Sequence, residues 1–203
     1  MPTSLIIVDD FLTNAHELRN AALRLTYPAQ DGAFPGRNSL ERIEIGGLAQ
    51  QVSELVREPL KVISPLQSHA KFRIALAQDK GRAKVHIDSG AHWSGILYLS
   101  RPEDCRGGTE FFRHRRTGTD HAPINAAERA ALGYSSGEEM YREIIEKDSN
   151  DDAKWELTMR APMRFNRLVL LRPWLWHTAG PAFGDSMENG RLVYLMFFES
   201  ARS

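Results

Sequence analysis

Apolar positions along the chain fall first at helical and then at strand-like spacing. Leu5 to Val8 reads as a first strand, and Asn14 with Glu17 three residues on has the form of a capping-box pair opening a helix. Ala15, Leu18, Ala22 and Leu25 recur on one face of that helix. The Tyr27-Pro28 pair ends it, because a residue before proline avoids the helical region. Gln30 to Asn38, carrying Gly32, Pro35 and Gly36, reads as an ordered loop. A second helix then sets Leu48, Val52, Leu55 and Val56 on one side, with Pro59 near its end.

From residue 71 the period becomes two. Phe72, Ile74 and Leu76 alternate with Arg73 and Ala75, the pattern of a strand with one buried face, and Asp79-Lys80-Gly81 turns the chain into a strand carrying His86. Short apolar runs follow at Gly95–Leu99, Gly107–Phe112, Arg167–Leu171, Trp174–His177 and Arg191–Phe198, each bounded by turn residues. This spacing predicts an antiparallel sandwich or barrel rather than alternating strand–helix units. Residues from about 117 to 160 interrupt it with a polar segment and one helix, in which Ser136 and Glu139 form the cap and Met140, Tyr141, Ile144 and Ile145 the apolar face. The segment reads as an insertion between core strands, either a lid over a pocket mouth or a decorated loop. Asp148 to Asp152 is its most mobile-looking part, after which Trp155, Leu157 and Met159 alternate back toward strand.

Composition narrows the function classes. A chain of 203 residues, 42% hydrophobic, suits one domain over 1–203 that is large enough to enclose a pocket. Lys plus Arg equals Asp plus Glu at 26 each, so no global field recruits nucleic acid or an anionic membrane. The single cysteine, Cys105, excludes an intramolecular disulfide framework and a multi-cysteine zinc site, and it suits a reducing compartment. The Leu5–Val8 run meets Asp9 and Asp10 too soon for a signal peptide, and no stretch approaches the ~20 apolar residues of a membrane helix. The expectation is a cytoplasmic protein; the pattern does not specify an oligomeric state.

Candidate chemistry gathers around His86 and Asp88. On a strand these two point to one face and offer a nitrogen and a carboxylate oxygen together. His177, at the end of a later strand, is the natural third ligand: two histidines and a carboxylate occupy one face of an octahedral iron(II) and leave adjacent positions for exchangeable ligands. A structural zinc site would instead close its shell. His92 lies four residues from Asp88 with no helix to align the two, which argues against it as a ligand. Arg191, fourteen residues after His177, carries a planar fork suited to a carboxylate.

His86-Ile87-Asp88, Tyr98-Leu99, Gly107-Gly108-Thr109-Glu110-Phe111, His177 and Arg191, in that order, resemble the signature of the iron(II)- and 2-oxoglutarate-dependent dioxygenases, in particular the prolyl-hydroxylase-like branch. The opening Val8-Asp9-Asp10-Phe11-Leu12 is similar to openings in that branch. The resemblance implies a mainly β fold with flanking helices, a double-stranded β-helix (a cupin-like jelly roll), with Fe(II) held by His86, Asp88 and His177. It also implies that Arg191 pairs with the 5-carboxylate of 2-oxoglutarate, that Tyr98 donates a hydrogen bond to the same group, and that the substrate is a small molecule or amino-acid side chain, oxidised with release of succinate and CO2. Family members often place Ser or Thr two or four residues after the basic residue; here those positions are Val193 and Leu195. His92, Trp93, Trp176, Arg113 and His114 are candidates for the pocket rim. Arg113, Arg115 and Arg116 with His114 form a basic cluster, read as a solvated charge run or a receiver of an anionic substrate. Two other readings stay open: a catalytically silent jelly-roll binding module, and a cupin-like metalloenzyme that does not use 2-oxoglutarate.

Overall fold

The computed structural model describes residues 3–30, 32–63 and 68–202. Ten strands form two antiparallel sheets: β1 (Leu5–Val8), β2 (Arg37–Asn38), β3 (Leu60–Val62), β4 (Phe72–Ala75), β5 (Trp93–Tyr98), β6 (Gly108–His114), β7 (Trp155–Pro162), β8 (Leu168–Leu171), β9 (His177–Thr178) and β10 (Arg191–Ser200). The larger sheet runs β1-β8-β5-β10-β4-β2 with β3 also on β10, and the smaller runs β7-β6-β9. A single bridge from His86 to His177 adds the His86 segment to the open edge of β9. Followed in chain order, β4, the His86 segment, β5, β6, β7, β8, β9 and β10 alternate between the sheets with one hairpin, β6–β7, inside the smaller. That is the eight-strand path of a jelly roll, the expected fold class.

Each sheet has two buried faces, so three apolar layers stack. Helix α1 (Ala15–Ala22) and helix α2 (Leu48–Val56) cover the outer face of the larger sheet, where Leu18, Val52 and Val56 meet Phe72, Ile74, Leu97, Leu168, Leu170 and Tyr194. Tyr98, Phe111, Ala161, Val169, Leu171 and Val193 fill the space between the sheets. The run Leu168–Leu171 is continuous in sequence because its residues alternate between these two layers. The Asn14 side chain does not cap α1, so the expected capping box there is not formed.

The insertion runs from 115 to 154, between β6 and β7, rather than from 117 to 160; Trp155 to Arg160 belong to β7. It holds helix α3 (Ala126–Ala131) and helix α4 (Gly137–Met140), which continues into a π-helical stretch at Tyr141–Glu146. Ser136 caps α4 as expected, accepting the Glu139 N–H at 3.0 Å. Met140, Ile144 and Ile145 pack with Phe112, Trp155 and Trp176 on the outer face of the smaller sheet. The insertion therefore buttresses the back of that sheet instead of covering the mouth. Its acidic end is fixed, not mobile: Asp148 and Ser149 are buried, and Ser149 exchanges hydrogen bonds with Lys84 and Val85, immediately before His86.

Candidate metal centre

His86 and His177 face each other across the edge of the smaller sheet and exchange both backbone hydrogen bonds, at 2.9 and 3.1 Å. Only this bridge, not a full strand, holds the His86 segment. Asp88 is fixed two residues on by its N–H to the Pro173 carbonyl at 2.9 Å. One ligand atom from each of His86, Asp88 and His177 lies within 4.8 Å of the others, so the three residues singled out from sequence are brought together and could hold a metal ion.

The imidazoles are turned for that task. His86 Nδ1 lies 3.0 Å from the Lys84 carbonyl and His177 Nδ1 2.8 Å from the Leu175 carbonyl. A carbonyl only accepts, so each Nδ1 carries the proton and each Nε2 of a neutral ring presents a lone pair. Those Nε2 atoms face the Asp88 carboxylate at 3.8 Å from His86 and 3.5 Å from His177. Acceptors converging in this way need a cation between them, whether a metal ion or a proton. The titration behaviour agrees. Burial and the neighbouring His177 push His86 down to about 4. Burial raises Asp88, but the charge and hydrogen bonding of His177, followed by His86, prevail and bring it down to about 2. Burial lowers His177, yet the Asp88 carboxylate outweighs it and the net shift is upward. The buried Ser94 hydroxyl also favours ionised Asp88, although it makes no hydrogen bond within ordinary geometry.

Arg191 opens β10 in phase with Val193, which places it on the inner face of the larger sheet. It is 3% exposed, its Nε has no hydrogen-bond partner, and it makes no ion pair among the described residues. Burial lowers its pKa with no carboxylate to offset the cost. Its only close aromatic neighbour is the Tyr98 ring, with the guanidinium carbon 5.9 Å from the centroid. A buried guanidinium in this state stabilises whatever anion reaches it. Arg73, on the inner face of β4, feels the charge of Arg191 and in turn acts on His86, which ties Arg191 to the histidine end of the same interior.

The expected donation from Tyr98 to a ligand does not fit its hydrogen bonds. Its hydroxyl accepts the Thr109 N–H at 2.8 Å, shares a proton with the Thr109 hydroxyl at 2.7 Å and reaches the Ala161 carbonyl at 3.3 Å, so it joins the two sheets. Behind it, Gly108 (φ 143°) has no room for a Cβ, which would lie 2.0 Å from the Ala161 carbonyl oxygen. The rim assignments also change. Trp93 and Trp176 are fully buried. His92 lies 2.7 Å from Glu58, which also pairs with Arg172, while the Arg172 guanidinium stacks 4.1 Å from the Trp93 ring centroid. His114 is buried against Asp148, and Arg116 bonds Tyr134 and Asp148, so the basic cluster is largely structural.

Two residues absent from the sequence reading belong here. Phe34 lies on the His86 ring with centroids 4.0 Å apart, and Arg73 holds the loop that carries it. Neither has a sequence signal beyond a Gly/Pro-rich loop and an arginine in strand phase. No helix among the described residues is long and apolar enough to cross a membrane.

A model of the family described as "Family of unknown function (DUF6445)" matches residues 2–198. No curated protein matches the chain in sequence. Among solved structures, iron-bound HygX from Streptomyces hygroscopicus aligns over 98% of this chain and 83% of its own, at 16% identity and a TM-score of 0.42. The selenomethionine-labelled Fe(II)/(alpha)ketoglutarate-dependent dioxygenase TqaL aligns over the same shares, at 11% identity and a TM-score of 0.45.

Proposed function

We propose that this chain, which belongs to the DUF6445 family of unknown function, is an Fe(II)- and 2-oxoglutarate-dependent oxygenase acting on a small molecule or amino-acid side chain. The observation that carries the reading is the convergence of His86, Asp88 and His177 with both Nδ1 atoms tied to carbonyls. Three protein ligands of this mixed type suit iron(II) and leave adjacent coordination positions for other ligands. When bound, iron(II) with 2-oxoglutarate supplies the oxidation: one atom of dioxygen enters succinate as CO2 leaves, and the other is inserted into the substrate.

The protein's part is ligation, orientation and exclusion of water. The Lys84 and Leu175 carbonyls keep the imidazole lone pairs aimed inward. Ser149 fixes the chain before His86, and the Pro173 carbonyl fixes Asp88. Arg191 receives the far carboxylate of 2-oxoglutarate with its planar fork, compensating a charge that the protein leaves unpaired. Tyr98 packs its ring beside that guanidinium and keeps its hydroxyl for Thr109.

The test is anaerobic addition of iron(II) and then 2-oxoglutarate, monitored for the weak visible charge-transfer band of the chelate. The band should form in the wild type and be lost in His177→Ala. No band, together with unchanged iron affinity in His177→Ala, ends the oxygenase reading. A band that survives Arg191→Ala with undiminished 2-oxoglutarate affinity leaves a metal centre but removes the cosubstrate site.

A further inference from the structure

The wall over His86 comes from a loop some fifty residues earlier in the chain. Arg73 spends its guanidinium on that loop: Nε donates to the Pro35 carbonyl at 2.8 Å, Nη2 to the Phe34 carbonyl at 2.6 Å and Nη1 to the Asn38 side-chain oxygen at 2.8 Å. The Ala83 N–H bonds the Ala33 carbonyl at 2.8 Å and ties down the other end. Gly36, at φ +89°, lets the loop lie flush on β4, since a Cβ there would sit 2.2 Å from the Ile74 carbonyl oxygen. Phe34 is therefore held in one place, its ring tilted 38° on His86.

A cleft of about 610 Å³ opens beside these two rings, a size suited to a small molecule. Its wall is apolar near Phe34, with Pro35, Ala83 and Ala179, while Asp79 and Lys80 stand side by side on its lining. The Lys80 ammonium makes no hydrogen bond or ion pair among the described residues. Asp79 commits one carboxylate oxygen to the Leu76 N–H at 2.9 Å. Adjacent opposite charges match a zwitterion better than a simple anion or cation, and an apolar wall disfavours any buried donor or acceptor it cannot pair.

We propose that Phe34 determines substrate specificity, and that the cleft takes a free α-amino acid with an aliphatic side chain. Its head group meets Asp79 and Lys80, and its side chain lies against Phe34 toward the metal centre. Arg73 acts as a positioning residue through Phe34. This rests on the metal-centre reading above.

The test uses the full chain loaded with Co(II) and 2-oxoglutarate, whose visible absorption reports changes around the metal. L-Valine, L-leucine and L-isoleucine should perturb the spectrum, and L-serine and L-glutamate should bind at least tenfold more weakly. Phe34→Ala should weaken the aliphatic binders about tenfold, the equivalent of ~1.4 kcal/mol, with Co(II) affinity unchanged because Phe34 supplies no ligand atom. Arg73→Met should reproduce that loss, and the double variant should add nothing further, since the two act as one unit. Arg73→Lys serves the same cycle if Arg73→Met does not fold. The proposal is overturned if no amino acid perturbs the spectrum, if polar ones bind equally well, or if Phe34→Ala binds like the wild type. Additive losses in the double variant remove the positioning role of Arg73. Failure to bind Co(II) at all would instead remove the metal centre beneath the proposal.

Discussion

The chain holds two buried histidine–carboxylate contacts, one on each face of the smaller sheet, and they are built to opposite ends. On the outer face, His114 has both ring nitrogens engaged, with Nε2 2.9 Å from Asp148 and Nδ1 3.0 Å from the Thr117 hydroxyl. The Arg116 guanidinium adds a contact to the same carboxylate at 3.5 Å. That cluster is closed and joins the insertion to the sheet. On the inner face, the Asp88 carboxylate is met by two imidazole nitrogens at 3.5 and 3.8 Å, while the ring protons point away to carbonyls. The residue types are the same. What separates a structural pair from a ligand set is where the protons go and whether the acceptors are left facing one another.

Exchanging the damage between the two sites gives the sharpest break in this comparison. His177→Ala should lower metal affinity by at least about a hundredfold, since a four-ligand site worth ~10–16 kcal/mol assigns roughly 3 kcal/mol to each ligand. Its urea midpoint without metal should change little, because the converging acceptors contribute little stability there. His114→Ala should do the reverse. It leaves Asp148 short of a hydrogen bond and opens a void beside Trp155, a loss of roughly 3 kcal/mol in folding stability. Its metal affinity should fall no more than about tenfold, by way of Ser149 and Val85 behind His86. Calorimetry for metal and denaturant titration for stability would expose the idea as wrong if the two variants behaved alike.

The difference between the sites was only partly legible in the sequence. His86, Asp88, His177 and Arg191 stood out because their order and spacing resemble a known signature, and the structure brings the first three together. His114 was visible as a residue type, but its partner Asp148 lies thirty-four residues away in what reads as a loose acidic run, and no local pattern links them. Arg73 was hidden by an assumption about faces. Alternation with Phe72 and Ile74 reads as a strand with one wet side, whereas in a sandwich covered by helices both sides are buried. Trp93 and His92 were misplaced for a related reason: sequence proximity to Asp88 says nothing about the Glu58–Arg172 pair waiting to receive them.

Arg191 extends the comparison to charge. Arg116 has a carboxylate partner, whereas Arg191 has none among the described residues. Arg191→Met should weaken 2-oxoglutarate binding about thirtyfold or more, the equivalent of ~2 kcal/mol for one member of a buried charge pair. The same change should leave the ligand-free protein as stable as the wild type or more so, because it removes an uncompensated buried charge. A variant that loses stability while keeping 2-oxoglutarate affinity would show Arg191 to be structural.

A smaller effect follows from pH at the closed pair. Burial lowers the His114 pKa below its ordinary 6.5, only partly offset by Asp148. The unfolded chain therefore takes up the proton first as pH falls, so the stability this group supplies is complete above 6.5 and declines below it. The urea midpoint should fall between pH 7.5 and 5.5, and less steeply in His114→Gln. Equal slopes would mean that other groups carry the acid sensitivity.

The smallest expected change in ligand binding belongs to Tyr98. Its hydroxyl accepts the Thr109 N–H and lies between Thr109 and the Ala161 carbonyl, three protein contacts that leave little for a bound anion. Tyr98→Phe leaves that buried N–H without its acceptor, which should cost ~1–3 kcal/mol of stability. 2-Oxoglutarate affinity should stay within about threefold, under ~1 kcal/mol, since the ring beside Arg191 is kept. The ratio of the two effects carries the information. If affinity falls tenfold while stability is unchanged, the hydroxyl turns toward the ligand after all, and the tie between the sheets at Thr109 yields when 2-oxoglutarate binds.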